Sequence, residues 1–389
     1  MSVPAIPEQR AATSRPVTAW IDLDAFQSNV ALLLHVVEPA KVMIVVKANG
    51  YGHGVFPIAE RALAAGATGV AVSVVDEAAE LRSQGYSGEI LVLTEPDQLG
   101  FAKAAALDVA CTIASANGVT NAATAADETH RPLRLHLKID TGMHRLGAEP
   151  EEALALASSI LQARRLAFEG LFTHLAVADE PENQMTAIQL DRFDEVRATL
   201  FAAGIHPEVV HAANSAAAIA HPRARYDLVR IGIAAYGHMP APALANAPEF
   251  RTLGTALQPV LSLVSSVQTL RRLRAGERTS YGLRYELMRD STVATVPIGY
   301  ADGLPRLLGE RGGEVLIGGR RRKIAGTVTM DQIIVDLGDD ESVQTGDEVV
   351  LIGRQGAEEI TTWEWAVRTG TIAYEILTRL GPRIPRRLR

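Results

Sequence analysis

Residues 41–54 read Lys41-Val42-Met43-Ile44-Val45-Val46-Lys47-Ala48-Asn49-Gly50-Tyr51-Gly52-His53-Gly54. The run from Lys41 to Val46 is apolar and rich in β-branched side chains, which predicts a strand buried on both faces, as in a parallel sheet. It delivers one lysine, Lys47, and then breaks into glycines, which predicts a loop at the strand's end. Packing does not place an ammonium there, because the charge needs water or a partner. Burial lowers a lysine's pKa, and a neutral amine is what a Schiff-base lysine requires. A lysine snorkelling to the surface after an edge strand is the plainer alternative for this segment taken alone.

Outward from this stretch the pattern repeats. Short apolar runs at 41–47, 69–74, 89–93, 108–113, 133–139, 168–174, 208–211 and 228–231 alternate with helical patterns, among them 57–65, 76–84, 115–126, 151–164 and 183–203. Strand–helix alternation means a parallel sheet, and eight such units in succession predict a closed (β/α)₈ barrel of the TIM type. An open doubly wound sheet is the alternative, but no glycine-rich dinucleotide fingerprint follows any of these runs. Beyond about Thr252 the texture changes to long strand-like segments at 258–271, 291–298, 313–317, 323–335 and 348–352, with helical patterns at 361–369 and 371–379. The predicted fold class is therefore α/β, an N-terminal barrel followed by a mainly β C-terminal domain. The expected divisions are a disordered tail over 1–16, the barrel over 17–252 and the β domain over 253–389.

The 389 residues are 47% hydrophobic with a net charge of −7, an ordinary globular composition that suggests no polyanionic partner. Arg320-Arg321-Arg322-Lys323 follows Gly318-Gly319, a hairpin signal, and reads as a solvated turn rather than a nucleic-acid patch. The one cysteine, Cys111, sits in a strand-like run and allows no intrachain disulfide, which fits a reducing cytoplasm. No window approaches the length of uncharged apolar sequence that a membrane span needs. No metal ligand set is expected.

Barrel enzymes place their sites at the C-terminal ends of the strands, and the unusual residues of the first domain fall there. Lys47 ends the first run. Lys138 and Asp140 end the fifth, followed by a loop that carries Arg145. His174 ends the sixth, Asn214-Ser215 follow the seventh and open a helix, and Arg230 closes the eighth, ahead of Gly232 and Ile233. A single strand-end histidine is more often a satisfied packing residue than a catalyst. Together these residues describe a ring around one mouth. Ser215 offers a hydroxyl where free N–H groups suit a phosphate, and Gly232 and Ile233 can bring backbone N–H groups to the same anion. Arg230 is a permanent cation, placed where it can meet an anion or a neutral acceptor.

These segments resemble the motifs of the bacterial alanine racemases, a pyridoxal 5'-phosphate (PLP) family. The Lys47 stretch resembles the family's PLP-lysine motif; Lys138-Ile139-Asp140-Thr141-Gly142-Met143-His144-Arg145-Leu146-Gly147, Phe172-Thr173-His174-Leu175-Ala176, Asn214-Ser215 and Arg230-Ile231-Gly232-Ile233 resemble others. In the second domain Ser280-Tyr281-Gly282, Pro297-Ile298-Gly299-Tyr300-Ala301-Asp302-Gly303 and Thr329-Met330-Asp331-Gln332 also match, so the resemblance covers roughly residues 17–386. It implies a cytoplasmic head-to-tail homodimer that interconverts L- and D-alanine and supplies D-alanine for peptidoglycan, each site taking Tyr281, Tyr300 and Met330 from the other chain. Lys47 would bind PLP and act as base toward D-alanine, and Tyr281 toward L-alanine. Tyr51, Asn214, Ser215, Gly232 and Ile233 would hold the cofactor with Arg230. Arg145 would hold the pyridine hydroxyl and lie near the substrate carboxylate, which Met330 would bind through its backbone N–H; His174 would link Arg230 to Tyr281, and Lys138 matches a lysine that is carbamylated in many members. The chain departs from the family where Pro382 stands in place of a C-terminal tyrosine, which leaves strict alanine preference open to a broader or serine racemase. A decarboxylase on the same barrel usually sets a carboxylate on the ring nitrogen, which Arg230 argues against. A non-catalytic PLP-binding protein built on the barrel alone lacks the second domain.

Overall fold

The computed structural model describes residues 15–389. The expected tail over 1–16 lies outside the described residues except for its last two. Of these, Arg15 is held: its guanidinium donates to both carboxylate oxygens of Asp302 at 2.7 and 2.8 Å and to the Pro297 carbonyl at 2.7 Å.

The chain divides into two compact units, one spanning Asp22–Val260, the other made of the segment ending at Ile21 together with Leu261–Arg389. The expected boundaries are corrected at both ends. The second unit begins at 261 rather than 253, and the first strand, β1 (Thr18–Ile21), belongs to it rather than to the barrel. The reason is pairing: β1 runs antiparallel to β10 (Leu261–Ser266) and parallel to the last strand, Arg386–Leu388.

In the first unit the strands are β2 (Lys41–Val45), β3 (Gly69–Val72), β4 (Glu89–Val92), β5 (Ala110–Ile113), β6 (Leu133–Lys138), β7 (Leu166–Phe172), β8 (Val209–His211) and β9 (Leu228–Ile231). All eight expected runs are strands, each paired parallel to its neighbours, in the order β8-β7-β6-β5-β4-β3-β2-β9. The two ends of that order are joined by Asp227 N–H to Val210 O and Arg230 N–H to Ala213 O, each 3.0 Å, which closes the barrel. Helices follow the strands, and short polar side chains start them. Asp97 accepts from Gly100 N–H at 2.8 Å, Ser115 from Gly118 N–H at 2.9 Å and Asn214 from Ala217 N–H at 3.0 Å, which satisfies donors the helix cannot. Side chains alternate across a strand, so Arg134, His136 and Lys138 share one face of β6. That face is the barrel interior, since His136 meets His211 of β8 and the Lys138 ammonium lies 5.7 Å from the Phe172 ring centre.

The second unit holds a seven-stranded sheet, a three-stranded sheet and a two-stranded ribbon. The expected strand at 258–271 is two strands, β10 and β11 (Thr269–Leu273), which enter different sheets. The expected strand at 323–335 is broken as well, because Gly326 takes φ +99° and the chain loops out through Met330 before resuming at Ile333–Gly338. Arg320–Lys323 is not a turn but an edge strand, hairpinned on Glu314–Ile317 through Gly318-Gly319. Its Arg321 is ion-paired with Glu314, Glu358 and Glu364 at 3.2, 2.9 and 2.8 Å; charge on an edge strand discourages stray pairing. Among the described residues no helix is long and apolar enough to cross a membrane.

Candidate active site

The strand that carries Lys47 stops two residues short of it, at Val45. Lys47 instead opens a turn in which Ala48, Asn49, Gly50 and Tyr51 all have left-handed backbone angles, with φ of 52°, 54°, 60° and 51°. Each non-glycine residue there costs about 1 kcal/mol or more. The cost is met locally. Gly50 N–H donates to Val46 O at 2.7 Å, Gly52 N–H to Ala48 O at 3.0 Å, and Val55 N–H to the Asn49 side chain at 2.8 Å. Glu77, at the start of the helix after β3, accepts from Ala48 N–H at 2.7 Å and from Ser73 N–H at 2.7 Å. The turn lifts Lys47 off the strand and leaves it half-buried at the C-terminal mouth of the barrel. Its amine is pulled below the ordinary lysine range by burial first, then by the charge of Arg145; Glu77 opposes the shift and Arg230 adds to it.

Arg230 lies in the barrel's interior, 3% exposed. It donates to the carbonyls of Thr173 and Ala212 at 2.9 Å each, to His211 Nδ1 at 2.6 Å and to His174 Nδ1 at 3.2 Å. Burial pulls the guanidinium down to about 9, so it remains a cation at neutral pH. Burial, and then the charge of Arg230, hold both His174 and His211 well below the usual imidazole range, as neutral rings. Because arginine has no acceptor, both rings must present an unprotonated Nδ1 to it and carry their hydrogen on Nε2.

Lys138 is buried on the same interior face. Burial, then the charges of Arg230 and Arg145, push its amine down to about 8, with Asp140 opposing. Asp140 holds the loop that presents Arg145: its Oδ1 accepts the N–H groups of Gly142, Met143 and His144 at 2.9–3.1 Å. Arg145 itself is exposed at the mouth.

The residues expected to hold a phosphate are also brought together. Gly232 N–H donates to Ser215 Oγ at 2.9 Å, and a Cβ on Gly232 would lie 2.6 Å from the Tyr51 hydroxyl. Tyr51 is stacked on Tyr236, whose hydroxyl donates to Val45 O at 3.0 Å, so the cradle is tied to the Lys47 strand. Ile233 is buried beside it. Asn214 is turned to the helix it caps and to Leu175 O, at 3.3 Å.

In the second unit Tyr281 is 72% exposed and Met330 53%. Tyr281 rides on a strained loop in which Ser280, Gly282 and Leu283 have φ of 60°, 75° and 45°. That loop is pinned by Ser280 Oγ to Thr327 O at 2.5 Å and Thr327 Oγ1 to Tyr281 O at 3.1 Å. Tyr300 sits against the Met330 turn, its N–H donating to Thr329 O at 3.0 Å, and a side chain on Gly299 would strike the Thr329 and Met330 carbonyls at 2.3 Å. Sequence reasoning missed Glu77 and His211. Glu77 was visible only as an acidic residue in a helix's first turn, and His211 only as a polar residue ending an apolar run. No group of three or more His, Cys, Asp or Glu placed to hold a metal occurs among the described residues.

Comparison with known proteins gives one answer. The profile of the alanine racemase N-terminal domain matches residues 21–240 and that of the C-terminal domain residues 260–388. Alanine racemase of Symbiobacterium thermophilum is 44% identical over 374 residues, 96% of this chain and 97% of the relative. That of Thermobifida fusca is 43% identical over 95% of this chain and 96% of its own length. Among solved structures, alanine racemase from Streptomyces coelicolor A3(2) superposes with a TM-score of 0.90 at 38% identity, covering 96% of this chain and 98% of that one. The Bacillus anthracis alanine racemase with bound L-Ala-P does so with a TM-score of 0.89 at 38% identity, covering 97% and 96%.

The charges around Lys47 make a test of the mouth's electrostatics. Arg145 is the largest charge depressing the Lys47 amine, and Glu77 the one raising it. A positive neighbour favours the neutral form. Arg145→Gln should therefore move the pH midpoint for Lys47 acylation in the cofactor-free protein upward, and Glu77→Gln should move it downward. Peptide mapping after brief acylation across a pH series reads both; equal midpoints in all three proteins would show that these charges do not reach the amine.

Proposed function

The chain belongs to the alanine racemase family, and from that membership we propose that it interconverts L-alanine and D-alanine with PLP as cofactor. The observation that carries the reading is a depressed lysine amine, a buried permanent cation and a glycine–serine–tyrosine cradle in one barrel. That donor set fits the group: Lys47 would hold it through its amine, Ser215 Oγ with the Tyr51, Gly232 and Ile233 cradle would seat its phosphate, and Arg230 would donate to its ring nitrogen. Bound there, PLP supplies the electron-withdrawing ring that makes the Cα–H of an amino acid acidic.

The chain's own residues do the rest. Lys47, with its amine pushed toward the neutral form, is the base on one face of Cα, removing the proton of D-alanine. Tyr281 of the partner subunit is the base on the other face, for L-alanine. Tyrosine's ordinary pKa near 10 needs lowering for that task. His174 is arranged for it: with Nδ1 taken by Arg230, its Nε2–H is a donor, and a hydrogen bond to a phenolate favours the charged form. Arg230, a donor that does not give up its proton, leaves the ring nitrogen unprotonated. Arg145 and the backbone N–H of Met330 of the partner subunit bind the substrate carboxylate, and Tyr300 of the partner subunit closes the mouth. The assembly is a head-to-tail homodimer, cytoplasmic, supplying D-alanine to peptidoglycan. One observation favours a broader amino-acid range, serine included: an exposed proline, Pro382, stands where a tyrosine would narrow the entrance.

Lys138 completes the charge pattern. A neutral amine can add to CO2, losing one N–H proton, and the resulting carbamate is an anion that pairs with Arg145 where an ammonium would repel it.

Borohydride reduction of the PLP-loaded protein followed by peptide mapping should place the pyridoxyl group on Lys47, and circular dichroism should show L-alanine racemising. Label on another lysine, or an unchanged optical signal, would sink the reading. For the shared site, a Lys47→Ala chain mixed with a Tyr281→Ala chain should regain activity, because exchanged dimers hold one intact site and one doubly damaged site. Mass-confirmed heterodimers without activity would mean that each site is built within one chain. For Lys138, carbon-13 bicarbonate should yield a carbamate carbon signal that is lost in Lys138→Arg. Only the neutral amine reacts and each addition releases a proton, so at fixed dissolved CO2 the signal should climb as pH rises through about 8 and go on climbing until the site is filled; a signal that does not grow with pH would place the carbamate elsewhere.

A further inference from the structure

Arg230 is the top of a longer chain of hydrogen bonds that descends the barrel to its opposite mouth. Below it, His211 Nε2 faces His136 Nδ1 at 2.9 Å, and His136 Nε2 faces a carboxylate oxygen of Glu169 at 3.3 Å. His211 is fully buried and His136 3% exposed. Glu169 borders a cavity of about 390 Å³ at the N-terminal mouth, lined also by Lys41, Glu89 and Asp227.

The chain fixes its own proton positions. Arg230 only donates, so His211 Nδ1 accepts and its hydrogen sits on Nε2. That hydrogen is donated to His136 Nδ1, so the hydrogen of His136 sits on Nε2 in turn and is donated to Glu169. Every bond then runs in one sense, from the guanidinium to the carboxylate. Two features of the backbone are shaped for it. The pairing of β6 with β7 slips by one residue, Leu135 opposite Phe168 but His136 opposite Gly170, which leaves Glu169 as a bulged residue; bulges re-aim side chains. Gly170 is bare where the His136 ring lies, since a Cβ there would come within 2.1 Å of His136 Nδ1. The Phe172 ring stacks on His211 at 4.6 Å and 5°, holding its plane.

We propose that His136 and Glu169 are positioning residues for Arg230, a carboxylate at the far mouth of the barrel that acts through two imidazoles to hold the guanidinium in place and temper its charge toward the cofactor. Hydrogen bonds in a chain polarise one another, so the Glu169 charge makes His211 Nδ1 a stronger acceptor for Arg230. A chain that ends on a guanidinium cannot pass a proton on, so it transmits charge and orientation and is not a proton wire. Arg134, ion-paired with Glu169 at 3.4 Å and with Glu89 at 2.5 Å, anchors its lower end. The proposal rests on the reading that Arg230 meets the cofactor's ring nitrogen.

Nitrogen-15 spectra of the histidine rings test the chain directly, in the PLP-loaded protein and again after the cofactor is removed. His136 and His211 should both carry their hydrogen on Nε2; either ring protonated on Nδ1 instead overturns the proposal, and no variant is needed to see it. Glu169→Leu should shift the His211 ring signals, two links away, and lower kcat by about tenfold with KM unchanged, because substrate contacts are untouched. Glu169→Gln keeps an acceptor and should recover most of the loss. If Glu169→Leu does not fold, Glu169→Met serves the same comparison. Unchanged His211 signals, or an unchanged kcat in a variant whose thermal midpoint shows it folded, overturns the proposal. A failure of the underlying reading looks different: the tautomers stand in the cofactor-free protein, while the pyridoxyl label falls on a lysine other than Lys47.

Discussion

A guanidinium buried inside a barrel is the constraint on which the rest of the site depends. Taking a cation out of water costs several kcal/mol even after relaxation, and among the described residues no carboxylate pairs with Arg230. Its partners are two carbonyls and two imidazole nitrogens, all neutral. Such partners satisfy the hydrogen bonds and leave the charge in place. That charge then acts on its neighbours. With burial as the larger cause in each case, it helps drive Lys138 down to about 8, adds to the depression of Lys47 and helps hold His174 below the usual imidazole range. One buried cation thereby adds to what burial does to the titratable groups around it, and its partners are the last residue of β8 and the residues that follow β7 and β8, fixed by the closed sheet.

The strained backbone is concentrated where chemistry is expected. Four successive left-handed residues follow Lys47, and three of the four residues 280–283 around Tyr281 have positive φ. Residues other than glycine hold such angles only where the surroundings over-determine them. At Lys47 those surroundings are Glu77, the Asn49 side chain and the Val46 carbonyl. At Tyr281 they are the Thr327 contacts. In both places the strained turn departs from the strand that precedes it, Lys41–Val45 and Arg278–Thr279, and presents its functional side chain outside the regular element.

The barrel was legible because each strand is a local fact. Val, Ile and Leu runs bounded by helical patterns need no knowledge of the rest of the chain, and all eight fell where the pattern put them. Ring residues such as Lys47, His174 and Arg230 were legible because an ionisable side chain at or near the end of an apolar run is anomalous wherever the chain goes. What stayed hidden depends on closure. Thr18–Ile21 reads as the start of the barrel, and only pairing with residues more than two hundred positions away assigns it to the other unit. The break at Gly326 is invisible in a run that is otherwise strand-like. His136, His211 and Glu169 look like scattered polar residues until the sheet closes and puts them on one line.

The same closure explains why so much positive charge is gathered at one mouth. Lys47, Lys138, Arg145 and Arg230 converge there, with Asp140 the carboxylate acting on Lys138 and Glu77 the one acting on Lys47, and both of those carboxylates are already engaged by backbone N–H groups. Left alone such a cluster is self-repelling, and part of the repulsion is relieved by pushing the amines neutral. A neutral lysine amine is the form that bonds to a carbonyl carbon, and the remaining cations suit a phosphate and a carboxylate. The electrostatic stress of the mouth and its fitness for the proposed anionic cofactor and amino-acid substrate are therefore one property: the charges that repel one another in the folded chain are those that the anions of such ligands would neutralise.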